Sequence, residues 1–459
     1  MAGGARLACA AAGASLMLLA AFAYRHSRRR GALLAQAPPL ARPPPRAAAE
    51  PALGRSESGW GLMRAKRRLV LLSNLRDMAG TLGLDIGGTM SKMVLAVAGE
   101  SQQHVVLGGG FREHPRLSFS VELDPARGSR LTLQFVATST DRLAEAVRLL
   151  QSRVPQVSPP ARHKSLRKHW GAALEQPETS LGFRPIVTAG GGAHKYGELF
   201  EETLGVRLVP FRELAALVEG LHFLRHYGPS DELFSVDPHT GAATTVPWPS
   251  ELFPFLVVNI GSGASILQVD SEGGGDAAFR RVGGTACGGA TFLGLCRALT
   301  GEKDFATLIA MAEKGDETHV DTSVGDIYGP GGCSSLGMPE QMTAANFGKL
   351  AGAAVMPPKE DLVCAALTMV VQASVLVSKA HAATLGASAS RRIFFVGGFL
   401  QNNAIARRLI AQAMESLGGR ALFARHADFL GALGSLSESL HRQESEPSRE
   451  SIACMDSRT

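Results

Sequence analysis

LGLDIGGTMSKMVLAV, residues 82–97, sets an acid, two glycines, a threonine and a lysine between two apolar runs. The runs read as paired strands, and a plain hairpin between them needs only turn residues such as Gly or Asn. Asp85, Thr89 and Lys92 are additions, and each can act on a phosphate. Gly87 and Gly88 let backbone N–H groups approach an anion, the Thr89 hydroxyl can donate, and Lys92 supplies positive charge. Asp85 suits a magnesium ion held through water, because hard cations take carboxylate oxygens and keep much of their hydration. The stretch reads as a phosphate cradle; the alternative is an ordinary glycine-containing hairpin.

A chain of 459 residues, 45% hydrophobic and 19% charged, can bury a large core, and its length suggests a globular protein of two or more packed lobes. The formal net charge is +6, but the first 70 residues hold a disproportionate share of the arginines. Without that segment the body is not a nucleic-acid-binding surface by charge. Cys9, Cys287, Cys296, Cys333, Cys364 and Cys454 are scattered without CxxC spacing. Neither a zinc site nor a disulfide framework follows, and a reducing compartment is the simpler assumption.

Residues 7–24, LACAAAGASLMLLAAFAY, form an apolar run followed at once by RHSRRR, and no acid precedes Glu50. That pattern fits a signal anchor or an organelle-targeting leader, mitochondrial targeting included, ahead of a Pro/Ala/Arg-rich linker. If the run inserts in a membrane, the arginines on its C-terminal side keep the rest of the chain cytoplasmic. The alternative is an unstructured Ala-rich tail with no address.

Further along, RLSFSVELD (116–124) and SRLTLQFVA (129–137) alternate apolar and polar residues as a half-buried antiparallel pair does. TDRLAEAVRLLQSRV has helical spacing, RPIVTAGGGAHKYGELFEETLG gives strand, glycine loop and helix, and a further helix starts at Glu213. FLVVNIGSGASILQVD, residues 255–270, repeats the plan of residues 82–97. The apolar helix at Asp361 to Leu385 is too hydrophobic all round to face water, so it is expected inside its lobe or against a second subunit. Two hairpin-led α/β halves facing one cleft is a way to hold a nucleotide. The expected organisation is a targeting segment and linker (1–77), an N-terminal lobe (78–225), a connecting loop (226–252), a C-terminal lobe (253–440) and a polar tail (441–459).

Each glycine motif is weak alone. In the order DIGGTMSK, TAGGGAHKY, NIGSGAS, RRVGGTACGGATFLGL and FFVGGFL, joined by AEKGDETHVDTSVGDIYG and HADFLGALGSL, the chain resembles the eukaryotic-type (type II) pantothenate kinases over roughly residues 80–436. The resemblance implies an α/β, two-lobed actin-like ATPase (ribonuclease H-like) fold, each lobe a mixed sheet flanked by helices, with the nucleotide in the cleft. It implies transfer of the γ-phosphoryl of ATP, with Mg²⁺, to the primary hydroxyl of pantothenate, the first step towards coenzyme A. An unrelated sugar kinase of the same fold would explain DIGGT but not GGATFLGL or the closing motif.

Carried residue by residue, the resemblance makes Gly87, Gly88, Thr89 and Lys92 phosphate contacts, with Asp85 at the metal. Gly261, Ser262 and Gly263 form the second phosphate turn, with Ser262 and Ser265 near pantothenate. Arg281 would bind the substrate carboxylate or the transferring phosphoryl, a planar cation suited to either. Gly288, Gly289 and Thr291 would line the nucleotide, and Gly397 and Gly398 its adenosine end. A dimer, with itself or a paralogue, and acyl-CoA as competing feedback inhibitor belong to the same resemblance.

One position departs from the family pattern. The catalytic glutamate expected directly after the basic and aromatic pair is Gly197 here, and the acid follows one place later as Glu198. One residue along a helix turns a side chain by about 100° and moves it about 1.5 Å. Either Gly197 lets the helix begin so that Glu198 reaches the cleft as base, or the base is gone and the chain is a weak or dead family member that binds ATP or acyl-CoA as a regulatory subunit.

Overall fold

The computed structural model describes residues 82–98, 111–124, 129–153, 186–271, 278–386, 389 and 391–445. The apolar run at 7–24, the linker after it and the end of the polar tail lie outside the described residues. The contact pattern divides the chain into two units, one containing residues 296–369 and the other containing the rest of the described chain.

The larger unit holds two seven-stranded sheets. The first comprises β1 (Leu82–Ile86), β2 (Met90–Ala98), β3 (Arg112–Glu113), β4 (Phe119–Asp124), β5 (Ser129–Ser139), β6 (Ile186–Ala189) and β7 (Leu208–Phe211). The second comprises β8 (Leu233–Val236), β9 (Ala243–Thr245), β10 (Phe255–Ile260), β11 (Ala264–Val269), β12 (Phe279–Thr285), β13 (Ile393–Val396) and β14 (Ala421–Ala424). Their central strands repeat one plan. In the order β5-β2-β1-β6-β7 the first two pairings are antiparallel and the last two parallel. The order β12-β11-β10-β13-β14 has the same sequence of pairings. The resemblance between residues 82–97 and 255–270 therefore reflects two equivalent hairpins, β1–β2 and β10–β11, each opening a mixed α/β sheet.

Parallel strands must be joined by crossovers, which place helices on the sheet faces. The helices of this unit are α1 (Leu143–Arg153), the short turn α2 (Gly192–Lys195), α3 (Gly197–Leu204), α4 (Glu213–Tyr227), α8 (Ala404–Ser416) and α9 (Leu430–Ser445), together with the start of α5 (Gly289–Thr300) and the later part of α7 (Lys359–Thr384). α9 closes the chain against β1, β6 and α4. Small residues let that crossing come close, because Gly434 lies against the Ala216 backbone and Gly220 against the Leu430 backbone, where a Cβ would collide. One continuous core joins the two sheets through α4 and α9, with Phe135, Phe255, Phe394 and Phe429 at most 1% exposed. Fully burying each such ring is worth roughly 1.5–3 kcal/mol.

The stretch 226–252, expected as a connecting loop, supplies the hairpin β8–β9. It extends the second sheet through the β14–β8 pairing. Its Pro and Gly residues mark the flanks and turn of a short edge hairpin, where they are tolerated.

In the unit containing residues 296–369, Asp304 caps α6 (Phe305–Ala312) by accepting from the Thr307 N–H at 2.8 Å. Thr322–Ser323 pairs with Thr343–Ala345. The Asp361 carboxylate accepts from the Asp316 N–H and contacts His319 Nδ1, each at 2.8 Å. Val320, Leu362 and Ala365 form a small core. Most of α7 is buried within its own chain, and Leu376 is its one large apolar side chain recorded as exposed, at 47%.

Candidate active site

In open α/β sheets, ligands gather outside the carboxyl ends of parallel strands. Asp85, Ala189 and Phe211 lie in one row across the carboxyl ends of β1, β6 and β7. Two residues past Phe211, α4 begins at Glu213. In the second sheet Asn259 and Val396 pair at the corresponding ends of β10 and β13, and Gly261 and Gly397 follow. A cavity of about 620 Å³ opens here, lined among others by Glu213, Asn259, Ser262, Ser265, Arg281 and Gly284.

The first glycine turn is held from behind. The Gly87 N–H donates to the Met90 carbonyl at 3.0 Å. Thr140 binds the turn twice, its N–H donating to the Thr89 carbonyl at 2.8 Å and its hydroxyl to the Gly87 carbonyl at 3.0 Å. Gly88 and Thr89 are left exposed at the tip. Asp85 and Lys92 are cross-strand partners, so their side chains share a sheet face. Desolvation raises the Asp85 carboxyl above its ordinary value; Lys92 offsets this and Glu213 adds to it. Gly190 and Gly431 supply close walls, each packing against the Asp85 side chain. Asp428 is raised by desolvation in the same way and is also opposed by Lys92, with Arg407. Lys92 thus favours ionisation of two carboxyls from distant parts of the chain.

The second turn is clasped by the glycine loop after β12. Gly261 N–H donates to the Gly263 carbonyl at 2.8 Å, Gly289 N–H to the Gly261 carbonyl at 2.8 Å, and Ala290 N–H to the Ser262 carbonyl at 3.0 Å. Gly288 packs on Gly263 so tightly that a Cβ would lie 2.5 Å from its Cα. The Thr291 hydroxyl donates to the Ala286 carbonyl at 2.9 Å. Gly288, Gly289 and Thr291, expected beside the nucleotide, shape the turn; they lie outside the cavity lining, as do Asp85, Gly87, Gly88, Thr89 and Lys92. Gly397 has φ 108° and lies against Ile260 and Asn259, whereas Gly398 is exposed.

The two arginines of β12 separate cleanly. Arg280 Nη2 donates to Gln268 Oε1 at 3.0 Å, while Arg281 Nε donates to the Ser265 hydroxyl at 3.4 Å and lines the cavity. Ser262 and Ser265 share that wall.

The displaced acid sits elsewhere. α2 ends at Lys195, Tyr196 with φ −111° and ψ 7° breaks the helix, and α3 starts at Gly197. The Tyr196 hydroxyl donates to the Thr140 carbonyl at 3.2 Å and ties this corner to the first glycine turn. Glu198 is exposed in the first turn of α3 and is not among the residues lining the cavity. The acid that does line it is Glu213, which sequence reasoning took only as the start of a helix. The signal available was its place two residues past the carboxyl end of a parallel strand, the topological position of a ligand-facing residue.

Among known proteins, pantothenate kinase 2 of Oryza sativa subsp. japonica is 32% identical over 427 residues, covering 85% of this chain and 42% of its own length. Pantothenate kinase 1 of Arabidopsis thaliana is 32% identical over 367 residues, covering 78% and 85%. A 4'-phosphopantetheine phosphatase of Mus musculus is 30% identical over 375 residues, covering 80% and 41%. The chain thus spans about two fifths of the length of several of the relatives it matches, the first of these among them. The Fumble family model matches residues 81–438, which takes in both glycine turns, Arg281 and the first half of α9, and the chain belongs to the Fumble family.

Proposed function

We propose that the chain transfers the γ-phosphoryl group of ATP to the primary hydroxyl of pantothenate, giving 4'-phosphopantothenate. The observation that carries this reading is the cavity lining, a glycine–serine turn with Ser265, Arg281 and Glu213, taken together with the Asp85–Lys92 pair of the first hairpin. The names of the plant relatives supply the substrate.

Phosphoryl transfer asks for an in-line approach, charge neutralisation over the phosphates and an acceptor for the hydroxyl proton. The exposed tip at Gly88 and Thr89 and the turn at 261–263 offer backbone and hydroxyl groups to phosphates. Lys92 and Arg281 bring positive charge, and Arg281 also suits the carboxylate of pantothenate. Magnesium fits a site with one or two carboxylates, because the ion keeps several waters and takes its remaining ligands from the phosphates. Asp85 would hold it, and Lys92 beside Asp85 keeps that carboxyl from rising further. When bound, the ion neutralises phosphate charge.

Incubating the full chain with Mg·ATP and labelled pantothenate should yield labelled phosphopantothenate. A second reading, a weak or dead member that binds ATP or acyl-CoA as a regulatory subunit, draws on the missing side chain at Gly197 and the outlying position of Glu198. Tight ATP binding without product would favour it. Two further proposals come with the family: acyl-CoA competing with substrate in the cavity, tested by inhibition that rising ATP or pantothenate relieves, and a homodimer or a heterodimer with a paralogue, tested by light scattering. A cytoplasmic body addressed or anchored through residues 7–24 is likewise proposed, and deletion of that run should change where the protein resides.

A further inference from the structure

We propose that Glu213 is the general base of the transfer, in place of the glutamate that Gly197 lacks. This rests on the kinase reading above. Glu213 supplies the only carboxylate among the residues lining the cavity, where Arg281, Ser262 and Ser265 are the groups placed to hold a substrate. Among the described residues its carboxylate makes no hydrogen bond or ion pair, so its oxygens are not committed to holding the fold. Its charge is nevertheless felt at Asp85, where it opposes ionisation. Glu213 therefore shares a cavity with the proposed substrate contacts and is coupled electrostatically to Asp85 of the proposed metal site.

Its location is fixed by rigid elements. The parallel strands β1, β6 and β7 end in one row, and α4, buried along Ala215 to Leu224, starts immediately beyond that edge. Arg212 precedes it in extended conformation, with φ −65° and ψ 124°. The base thus stands on the first turn of a core helix, which positions a side chain more firmly than a loop does. Glu213 and Glu198 are both exposed, but Glu198 lies outside the cavity lining.

The step balances as follows. The primary hydroxyl oxygen forms a bond to the γ-phosphorus, the bond from that phosphorus to the β,γ-bridging oxygen breaks, and ADP leaves with the electron pair. The hydroxyl O–H bond breaks and its proton passes to the Glu213 carboxylate, from which it is lost to water after product release. General-base assistance is worth about 10²- to 10⁴-fold in rate.

The test compares wild type, Glu213→Gln, Glu213→Asp and Glu198→Gln as full chains, measuring kcat, KM for pantothenate, ATP affinity and the pH profile of kcat. Glu213→Gln should lower kcat about 10²- to 10⁴-fold while ATP affinity and melting temperature stay close to wild type. Glu213→Asp should recover part of the rate and keep a rise of kcat with pH through a carboxylate titration. Wild-type turnover with an unchanged kcat in Glu213→Gln, a loss confined to KM, or a loss found instead in Glu198→Gln would each overturn the assignment and leave the kinase reading standing. A wild-type chain that forms no phosphopantothenate would overturn the kinase reading and the base with it.

Discussion

Asp85 and Lys92 stand directly opposite each other across the β1–β2 hairpin, and Asp85 is held above the ordinary carboxylate range by desolvation that Lys92 only partly offsets. A carboxyl whose pKa is higher folded than unfolded favours the folded state below its unfolded value. That contribution is lost as pH rises through the folded value. At neutral pH the desolvated Asp85 carboxylate therefore works against folding, as expected of a group kept for its chemistry.

Asp85→Asn should accordingly raise the melting temperature at pH 7, with the gain disappearing below pH 3.8, the ordinary value of this group. Phosphoryl transfer should fall about 10²-fold, the scale of removing one electrostatic contributor at a transition state. A lower melting temperature at pH 7 would show that Asp85 is a structural ion-pair partner.

Lys92→Ala and Arg281→Ala should each reduce transfer by about 10²-fold or more. Arg281→Ala should leave stability within about 0.5 kcal/mol, since the side chain is exposed and bonds only weakly to Ser265. Steady-state kinetics and denaturant melts measured side by side decide this. Full activity in either variant removes that residue from the site.

Glu232 and His426 form a buried pair, 0% and 1% exposed, with Nδ1 to Oε2 at 2.5 Å. The other ring nitrogen faces the Leu117 carbonyl at 2.7 Å. His426→Ala leaves the Glu232 carboxylate buried without its partner and should destabilise the chain by about 3–5 kcal/mol. Guanidinium titration measures it, and a change under about 1 kcal/mol would mean that the carboxylate finds another partner.

Gly397 and Gly398 should respond differently to alanine. At Gly397, φ 108° and a Cβ 2.5 Å from Asn259 Oδ1 force backbone movement at the end of β10, costing about 1–3 kcal/mol from strain alone. At Gly398 nothing lies within 4 Å, and stability should move by less than about 0.5 kcal/mol. Equal effects on melting temperature would contradict the placement of this turn.

The glycine turns were legible in the sequence because their chemistry is local. Asp85, Gly88 and Lys92 fall within eight residues, and the hairpin that carries them alternates as a strand pair must. The repeated sheet plan followed from the same pattern at residues 255–270. Glu213 was not legible as a site residue, because its neighbours Arg281 and Ser262 are distant in sequence and meet it only through strand order. The β8–β9 hairpin was hidden by turn residues that resemble a loop. Sequence spacing reports local geometry; which side chains face one cavity is settled by topology.

The central claim is tested most directly by the initial rate at which label moves from [γ-³²P]ATP as pantothenate is titrated against the full chain. The account predicts a saturating dependence on pantothenate, with the label recovered in 4'-phosphopantothenate and none released faster than in its absence. Label that stays on ATP, or passes to water at a rate independent of pantothenate, would contradict it.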